Sequence, residues 1–265
     1  MKSEKELAAM SAKEFWQMVR RGEWRLPTIQ PCEDYLKAGL CVIPKEYAVE
    51  FLIFCHRNPR PCPIIDITDV GSPHPPISPD ADLRTDLPKY NVIVNGELKE
   101  QATDIARFWR DDLVGFLLGC GVPLDTVLRE HRVDFISPHA LHISNLSCRP
   151  AGRFKGPMAV ACRLFKNMQD VVRAVQIASR MPFAHGAPVH IGDPSAIGVK
   201  NIYKGEIVAV PEPASPPKEH TIPVFWACGC TLELAAKEAK IPLMITQSPA
   251  HMFITDRLTQ ELIGG

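Results

Sequence analysis

Two histidines and an aspartate stand among two glycines and two prolines in the run His185-Gly-Ala-Pro-Val-His-Ile-Gly-Asp-Pro194. Proline removes a backbone donor and glycine forfeits helical entropy, so the segment reads as a stiff, irregular loop, the setting in which ionisable side chains most often do chemistry. An imidazole exchanges a proton near neutral pH, which makes His185 and His190 acid/base candidates; the alternative is a pair of structural histidines bonded to backbone carbonyls. Arg84 and Asp86 flank Thr85 in a segment closed by Pro88. A guanidinium there can grip a carboxylate through two parallel hydrogen bonds, with Asp86 orienting it or binding an ammonium group; an ion pair internal to the loop is the competing reading. Of the adjacent Asp111 and Asp112, only one can face a cleft if they lie on a helix, and Asp112 is the general acid or base candidate. Cys120 and Cys228 adjoin glycines at the ends of expected elements, where backbone amides lower a thiol pKa, although inert burial is the usual fate of cysteine. His251, in the Ser248–Asp256 run, completes the set as a binding candidate.

A metal would need a third ligand, such as His251, brought to the paired histidines by folding. No HExxH pattern is present, so the reading is cofactor-free, with a divalent metal as the alternative. Gly192 and Gly198 do not form a phosphate-cradling motif, which argues against nucleotide binding.

The elements that must position these groups alternate in type. Apolar residues at Leu7, Met10, Phe15, Met18 and Val19 predict a helix over 4–20. A short strand follows at 40–43, then a helix opened by Pro44 and carrying Tyr47, Ala48, Phe51, Leu52 and Cys55 on one side, then a strand at 64–67. Asn95-Gly96 is a tight-turn dipeptide and predicts a hairpin of 90–94 with 97–100. Thr103 or Asp104 is read as the cap of a helix running through Leu118, followed by a shorter helix over 123–131. Strands are expected at 158–163, 207–210, 223–227 and 241–246, with helices over 167–180 and after Thr231. The Pro-rich stretch 211–217 reads as a linker. Trp226, within an apolar run, is expected to be core. Strands interleaved with helices predict an α/β core, and the hairpin together with the 120–215 region predicts an added α+β part.

The 265 residues can bury a substantial core. Lys plus Arg and Asp plus Glu number 30 each, so no global positive field favours nucleic acid or an anionic membrane, and neither is expected as a partner. Arg20, Arg21 and Arg25 fall at the end of the first predicted helix, where cations complement the helix dipole. Nine cysteines without a CxxC pair predict reduced thiols and a cytoplasmic protein. The charged N-terminus lacks a secretory core, and no apolar run approaches the roughly 20 residues that span a bilayer.

Taken in order, several of these segments resemble the D-glutamate cyclase family, whose short members carry a hydro-lyase name. The matching pieces are Phe51-Leu-Ile-Phe-Cys-His-Arg-Asn-Pro-Arg-Pro-Cys-Pro63, Asp82-Leu-Arg-Thr-Asp-Leu-Pro88, Trp109-Arg-Asp-Asp-Leu-Val114 and Gly119-Cys120. Ala151-Gly-Arg-Phe154, the 185–192 loop, Pro223-Val-Phe-Trp-Ala-Cys-Gly229 and His251-Met-Phe-Ile-Thr-Asp256 follow. The resemblance implies a three-layer α/β/α unit combined with a smaller two-layer α+β unit. The division expected is residues 1–120 together with 218–265 for the first and 121–217 for the second. It further implies a lyase that removes water from a small carboxylate or amino acid, with D-glutamate and 5-oxo-D-proline as the named pair. On that reading Arg84 anchors a carboxylate, His185 or His190 takes the amine proton, and Asp112 or the other histidine protonates the departing oxygen. Asp86, Cys120, Cys228 and His251 complete the site. Hydration or dehydration of a hydroxy- or keto-acid, or non-catalytic binding of a small molecule, are the competing functions. Three places depart from the family pattern: Gly121-Val-Pro-Leu-Asp125 replaces a Ser-Phe-rich stretch, Val160-Ala-Cys-Arg163 a Ser-Met-Arg type strand end, and Gln247 a common histidine.

Overall fold

The computed structural model describes residues 3–207 and 220–263. In chain order these form α1 (Glu4–Ala8), α2 (Ala12–Arg20), β1 (Tyr35–Pro44), α3 (Lys45–Arg57), β2 (Ile64–Ile67), β3 (Tyr90–Val94), β4 (Glu97–Ala102) and β5 (Leu113–Gly119). There follow α4 (Val122–Glu130), β6 (Leu141–Ser147), β7 (Pro157–Phe165), α5 (Met168–Ser179), β8 (His190–Ile191), β9 (Ile222–Ala227), α6 (Thr231–Ala239), β10 (Met244–Gln247) and β11 (Phe253–Leu258). Every strand pairing is antiparallel.

Seven strands build the larger sheet in the order β2-β5-β1-β10-β3-β4, with β11 beside β1 below β10. Alternate side chains point to opposite faces of a strand, and the apolar sequence of β1 and β5 supplies both faces at once. Leu40, Val42, Leu113 and Leu117 meet Leu7, Phe15, Trp16 and Val19 of α1 and α2. Cys41, Ile43, Val114, Phe116 and Leu118 meet Phe51 and Phe54 of α3 and Leu232, Ala235 and Ala236 of α6. This is the three-layer α/β/α unit. Each large apolar side chain so enclosed contributes about 1.5–3 kcal/mol.

Four strands form the smaller sheet, in the order β6-β7-β9-β8. Helices α4 and α5 cover the face that carries Phe165, Val224 and Trp226, and the loop residues Ile197 and Val199 pack on Val160, Cys162, Leu164 and Phe225 behind it. Strand β9, from the 218–265 segment assigned above to the larger unit, pairs into this smaller sheet over its whole length, Ile222–Ala227 against Phe165–Val160 of β7.

The 103–118 helix is corrected. Asp111 and Asp112 lie in a turn, and the residues that follow form β5, buried on both faces between β2 and β1. A continuous apolar run has no period to separate a buried strand from a buried helix, and here the sheet needed a central strand. The hairpin at Asn95-Gly96 forms as expected, with φ of 52° and 85°. Strand β1 is longer than the expected 40–43, and β10 begins at Met244 rather than at 241. Of the strand expected at 207–210, Ile207 bridges to Leu141, while 208–210 and the 211–217 linker lie outside the described residues.

At Gly119, the last residue of β5, a Cβ would stand 1.7 Å from the carbonyl oxygen of Phe183 and 2.7 Å from its carbon. Only a residue without a side chain lets the loop leading to His185 close on the sheet. Gly119→Ala therefore forces backbone apart and is expected to cost about 1–3 kcal/mol or more, read as a lower urea midpoint. An unchanged midpoint would disprove the close approach.

Candidate functional site

Where the two sheets meet, a cavity of about 160 Å³ opens to solvent between the end of β5, the end of β10, the 139–141 segment and the N-termini of α4 and α6. Cavities of about 150 Å³ hold a single small ring, so the space suits a compact ligand. Ile29, Leu141 and Met252 give it an apolar wall, and Cys120, Gly121, Arg163, His185, Cys228 and Gln247 supply polar groups.

His185 ends the turn after Pro182–Ala184 with φ 74°, and Gly186 follows at φ 63°. A left-handed non-glycine residue stores strain that its surroundings must hold in place. Here the Gly186 amide donates to the Met181 carbonyl at 3.1 Å, and Trp226 Nε1 donates to the Gly186 carbonyl at 3.1 Å. The imidazole is 3 % exposed, and its Nδ1 lies 2.6 Å from the Arg60 carbonyl oxygen. A carbonyl only accepts, so Nδ1 carries the hydrogen and Nε2 keeps its lone pair, without a protein partner among the described residues. Burial pushes this imidazole down to about 4; the nearby Arg163 charge adds to that effect, while the Arg60 carbonyl opposes it. The ring is neutral at pH 7 and presents an acceptor to the cavity.

Arg163 projects from β7, where a charge amid Val160, Leu164 and Phe165 must be paired to be tolerated. Its Nε donates to Asp125 Oδ1 at 2.6 Å and its Nη2 to the Gly121 carbonyl at 3.1 Å, and the guanidinium stands 4.9 Å from the Trp226 ring centroid. Nη1 has no hydrogen-bond partner among the described residues. A Cβ on Gly121 would lie 3.4 Å from Arg163 Nη2 and 3.5 Å from His185 Cδ2, so cation and imidazole approach the same point and the glycine keeps it open.

The side chains of Ser3, Ser11 and Asn167 cap α1, α2 and α5, whereas α3, α4 and α6 begin at Pro44, Gly121 and Cys230 with no side-chain cap. The starts of α4 and α6 border the cavity. The Thr231, Leu232 and Glu233 amides of α6 donate to the Cys228, Gly229 and Cys230 carbonyls at 3.0, 3.0 and 3.1 Å, and Pro123 takes an amide out of the first turn of α4, so Arg163 is the group there that favours an anion. Gln247 ends β10 at the cavity wall; its Oε1 accepts from the Leu40 amide at 2.6 Å, and its Nε2 has no hydrogen-bond partner among the described residues. His139, exposed and at φ 56°, stands at the mouth.

Of the residues singled out from sequence, His185, Cys120 and Cys228 share this cavity. The others lie elsewhere. Arg84 pairs with Asp82 at 2.7 Å, and Asp86 is fully buried against Arg20, whose Nε and Nη2 reach it at 2.6 and 2.7 Å. Asp112 pairs with Arg110 at 2.8 Å near the surface, and that guanidinium holds its carboxyl below the usual range. His190 Nε2 is bound to the Asp193 carbonyl at 2.7 Å. His251 Nδ1 meets the Pro249 carbonyl at 2.7 Å; the residues on either side of it line the cavity, but it does not. The grouping of Arg84, Asp86, Asp112 and His190 into one site is thus corrected: Asp82, Arg20, Arg110 and the Asp193 carbonyl hold them, and none of the four lines the cavity. Arg163, Asp125 and His139 were missed as site residues. An arginine inside the apolar strand run Met158–Phe165 was the available signal for the first. All three places that depart from the family pattern contribute to the cavity wall.

Among the described residues, no group of three or more His, Cys, Asp or Glu side chains is arranged to hold a metal ion, and no helix is long and apolar enough to cross a membrane.

A family model for D-glutamate cyclase matches residues 114–256, which contain most of the cavity wall. A protein of Geobacillus kaustophilus carrying a provisional hydro-lyase name is 48 % identical over 264 residues, 96 % of this chain and 97 % of its own. Similarly named proteins of Rubrobacter xylanophilus and Bacillus subtilis are 42 % and 40 % identical, covering 96 % and 93 % of this chain and 99 % and 96 % of theirs. The crystal structure of a nitrogen repressor-like protein from Methanococcus jannaschii aligns over 94 % of this chain and 99 % of its own, at 10 % identity and a TM-score of 0.39. That likeness is too low to carry an argument.

Proposed function

The chain belongs to the D-glutamate cyclase family, and on that premise we propose that its cavity binds a small amino-dicarboxylate and interconverts D-glutamate and 5-oxo-D-proline with loss or gain of water. The observation that carries the reading is the neutral His185, its Nδ1–H tied to the Arg60 carbonyl and its Nε2 free beside Arg163. Cyclisation moves two protons from the ammonium nitrogen to an oxygen of the distal carboxylate, which departs as water. A single uncharged imidazole can take each proton and pass it on. Arg163 holds carboxylate oxygens and the charge that builds on the reacting carbonyl, in the manner of an oxyanion hole. The free Nε2 of Gln247 adds a donor. Holding amine and acid together in one small space contributes further, because effective molarities of intramolecular partners are large.

Dehydration of a hydroxy-acid is the second reading, favoured by the same base-plus-anion-site arrangement and by the altered wall at Gly121–Asp125 and Gln247. Purified protein incubated with D-glutamate, L-glutamate, 5-oxo-D-proline and a panel of 2- and 3-hydroxy acids, followed by proton NMR, separates the two. The expected result is interconversion of the D-glutamate pair. Turnover of a hydroxy-acid alone would replace the substrate, and ligand-induced shifts with no turnover anywhere would replace catalysis by binding.

A further inference from the structure

Four thiols border the cavity, Cys120, Cys162, Cys228 and Cys230, and their surroundings differ; burial pushes Cys162 up to about 12. Cys120 donates its S–H to the Lys37 carbonyl at 3.2 Å, and burial pushes it up to about 11. Cys230 is held protonated, since its S–H is spent on the sulfur of Cys228. Cys228 is partly exposed where Cys162 and Cys230 are buried, and the neighbouring Cys230 thiol and backbone amide draw its pKa below the ordinary thiol value. Its backbone is fixed as well. The Cys228 amide donates to the Ala159 carbonyl at 2.9 Å, and its carbonyl accepts from the Thr231 hydroxyl at 2.7 Å and the Thr231 amide at 3.0 Å. Thr231 is in turn locked to β7 by the Ala159 amide, at 3.0 Å from its hydroxyl oxygen.

A cysteine at a helix start is not by itself a site. The second observation is His185, buried to 3 % exposure, with an unpartnered Nε2 turned into the same space. A nucleophile, a base oriented by a third group and donors for a carbonyl oxygen form the constellation of covalent acyl transfer. We propose that Cys228 is the nucleophile of this cavity and carries the distal acyl group of the substrate as a thioester. The proposal rests on the substrate reading above.

In the ring-opening direction the Cys228 sulfur bonds to the lactam carbonyl carbon while its proton passes to His185 Nε2. That proton goes to the ring nitrogen as the C–N bond breaks, leaving a γ-thioester and a free amine. Water then attacks the thioester carbon, gives one proton to His185 and expels the sulfur, which regains that proton. The new carboxylic acid loses its remaining proton to the amine. One water is consumed and no oxidant or reductant is needed; the reverse sequence closes the ring.

The test uses the intact protein and 5-oxo-D-proline. Acid quench during turnover followed by peptide mass spectrometry is expected to find the mass of one 5-oxoproline on the peptide holding Cys228, and hydroxylamine is expected to release it as the γ-hydroxamate. Iodoacetamide at neutral pH should alkylate Cys228 before the other thiols, with 5-oxo-D-proline protecting it. Cys228→Ser, nearly the same size and checked for folding by circular dichroism, should lose on the order of 10⁴-fold or more in kcat. Near-normal turnover in Cys228→Ser, or turnover without any adduct in the quench, overturns the thioester and leaves the substrate reading standing. Absence of any glutamate–oxoproline turnover in the unaltered protein overturns both.

Discussion

His185→Gln leaves a folded protein whose kcat is lower by about 10²–10⁴-fold, the usual worth of a positioned general base. Glutamine can still donate toward the Arg60 carbonyl but has no lone pair able to take a proton from an amine. The pH dependence gives this prediction a second, independent readout. With its pKa at about 4 instead of 6.5, the imidazole is already in its basic form at mildly acidic pH. The acid limb of kcat/KM attributable to it therefore falls near pH 4, well below the ordinary histidine range. Stability follows the same titration. Between about 4 and 6.5 the unfolded chain binds a proton at this position that the folded chain refuses, so stability rises with pH through that window. The contribution is fully present above 6.5, is lost as pH falls toward 4, and amounts to on the order of 3 kcal/mol. Urea midpoints at several pH values should show this slope in the unaltered protein and a flatter one in His185→Gln. An acid limb near 6.5, or a variant that keeps full activity, would remove His185 from the proton path.

Much of the fold could be read from residue pattern. The helix over 167–180, the Asn95-Gly96 hairpin and the strands around 158–163 and 223–227 each announce themselves within a dozen residues, because turn chemistry and period act locally. Strand β5 did not, since residues 113–119 are buried on both faces and carry no alternation. The site divides along the same line. His185, Cys120 and Cys228 line one cavity, and the Gly and Pro residues beside them mark where backbone is bent or brought close. Arg84 and Asp86 looked equally chemical, yet one is satisfied by Asp82, two residues away, and the other by Arg20 across the α2 contact. The type of a side chain does not reveal which partner folding will provide. Arg163 was overlooked for the converse reason: Asp125 lies 38 positions earlier, and only the packing of α4 on the smaller sheet brings the two together.

Arg163→Met tests that pairing most severely, and two consequences must be separated. A carboxylate gripped by the guanidinium loses up to two charge-assisted hydrogen bonds, each worth about 1.5–3 kcal/mol, so kcat/KM is expected to fall about 10²–10⁴-fold. The protein is also destabilised, because Asp125, with its side chain 23 % exposed, is left without the cation that pays for its burial, at a cost of about 3–5 kcal/mol. Arg163→Lys keeps the charge but loses the planar fork that spans Asp125 and Gly121 and the stacking on Trp226, and should fall between. The double variant Arg163→Met/Asp125→Asn removes the stranded charge. It is expected to recover most of the lost stability, read as a urea midpoint, while kcat/KM and calorimetric affinity for 5-oxo-D-proline stay as low as in Arg163→Met. If activity returns together with stability, Arg163 holds only the fold. If stability returns alone, the guanidinium is what the substrate's acid group binds, and the ion pair with Asp125 is the device that keeps a bare cation at the floor of a largely apolar cavity.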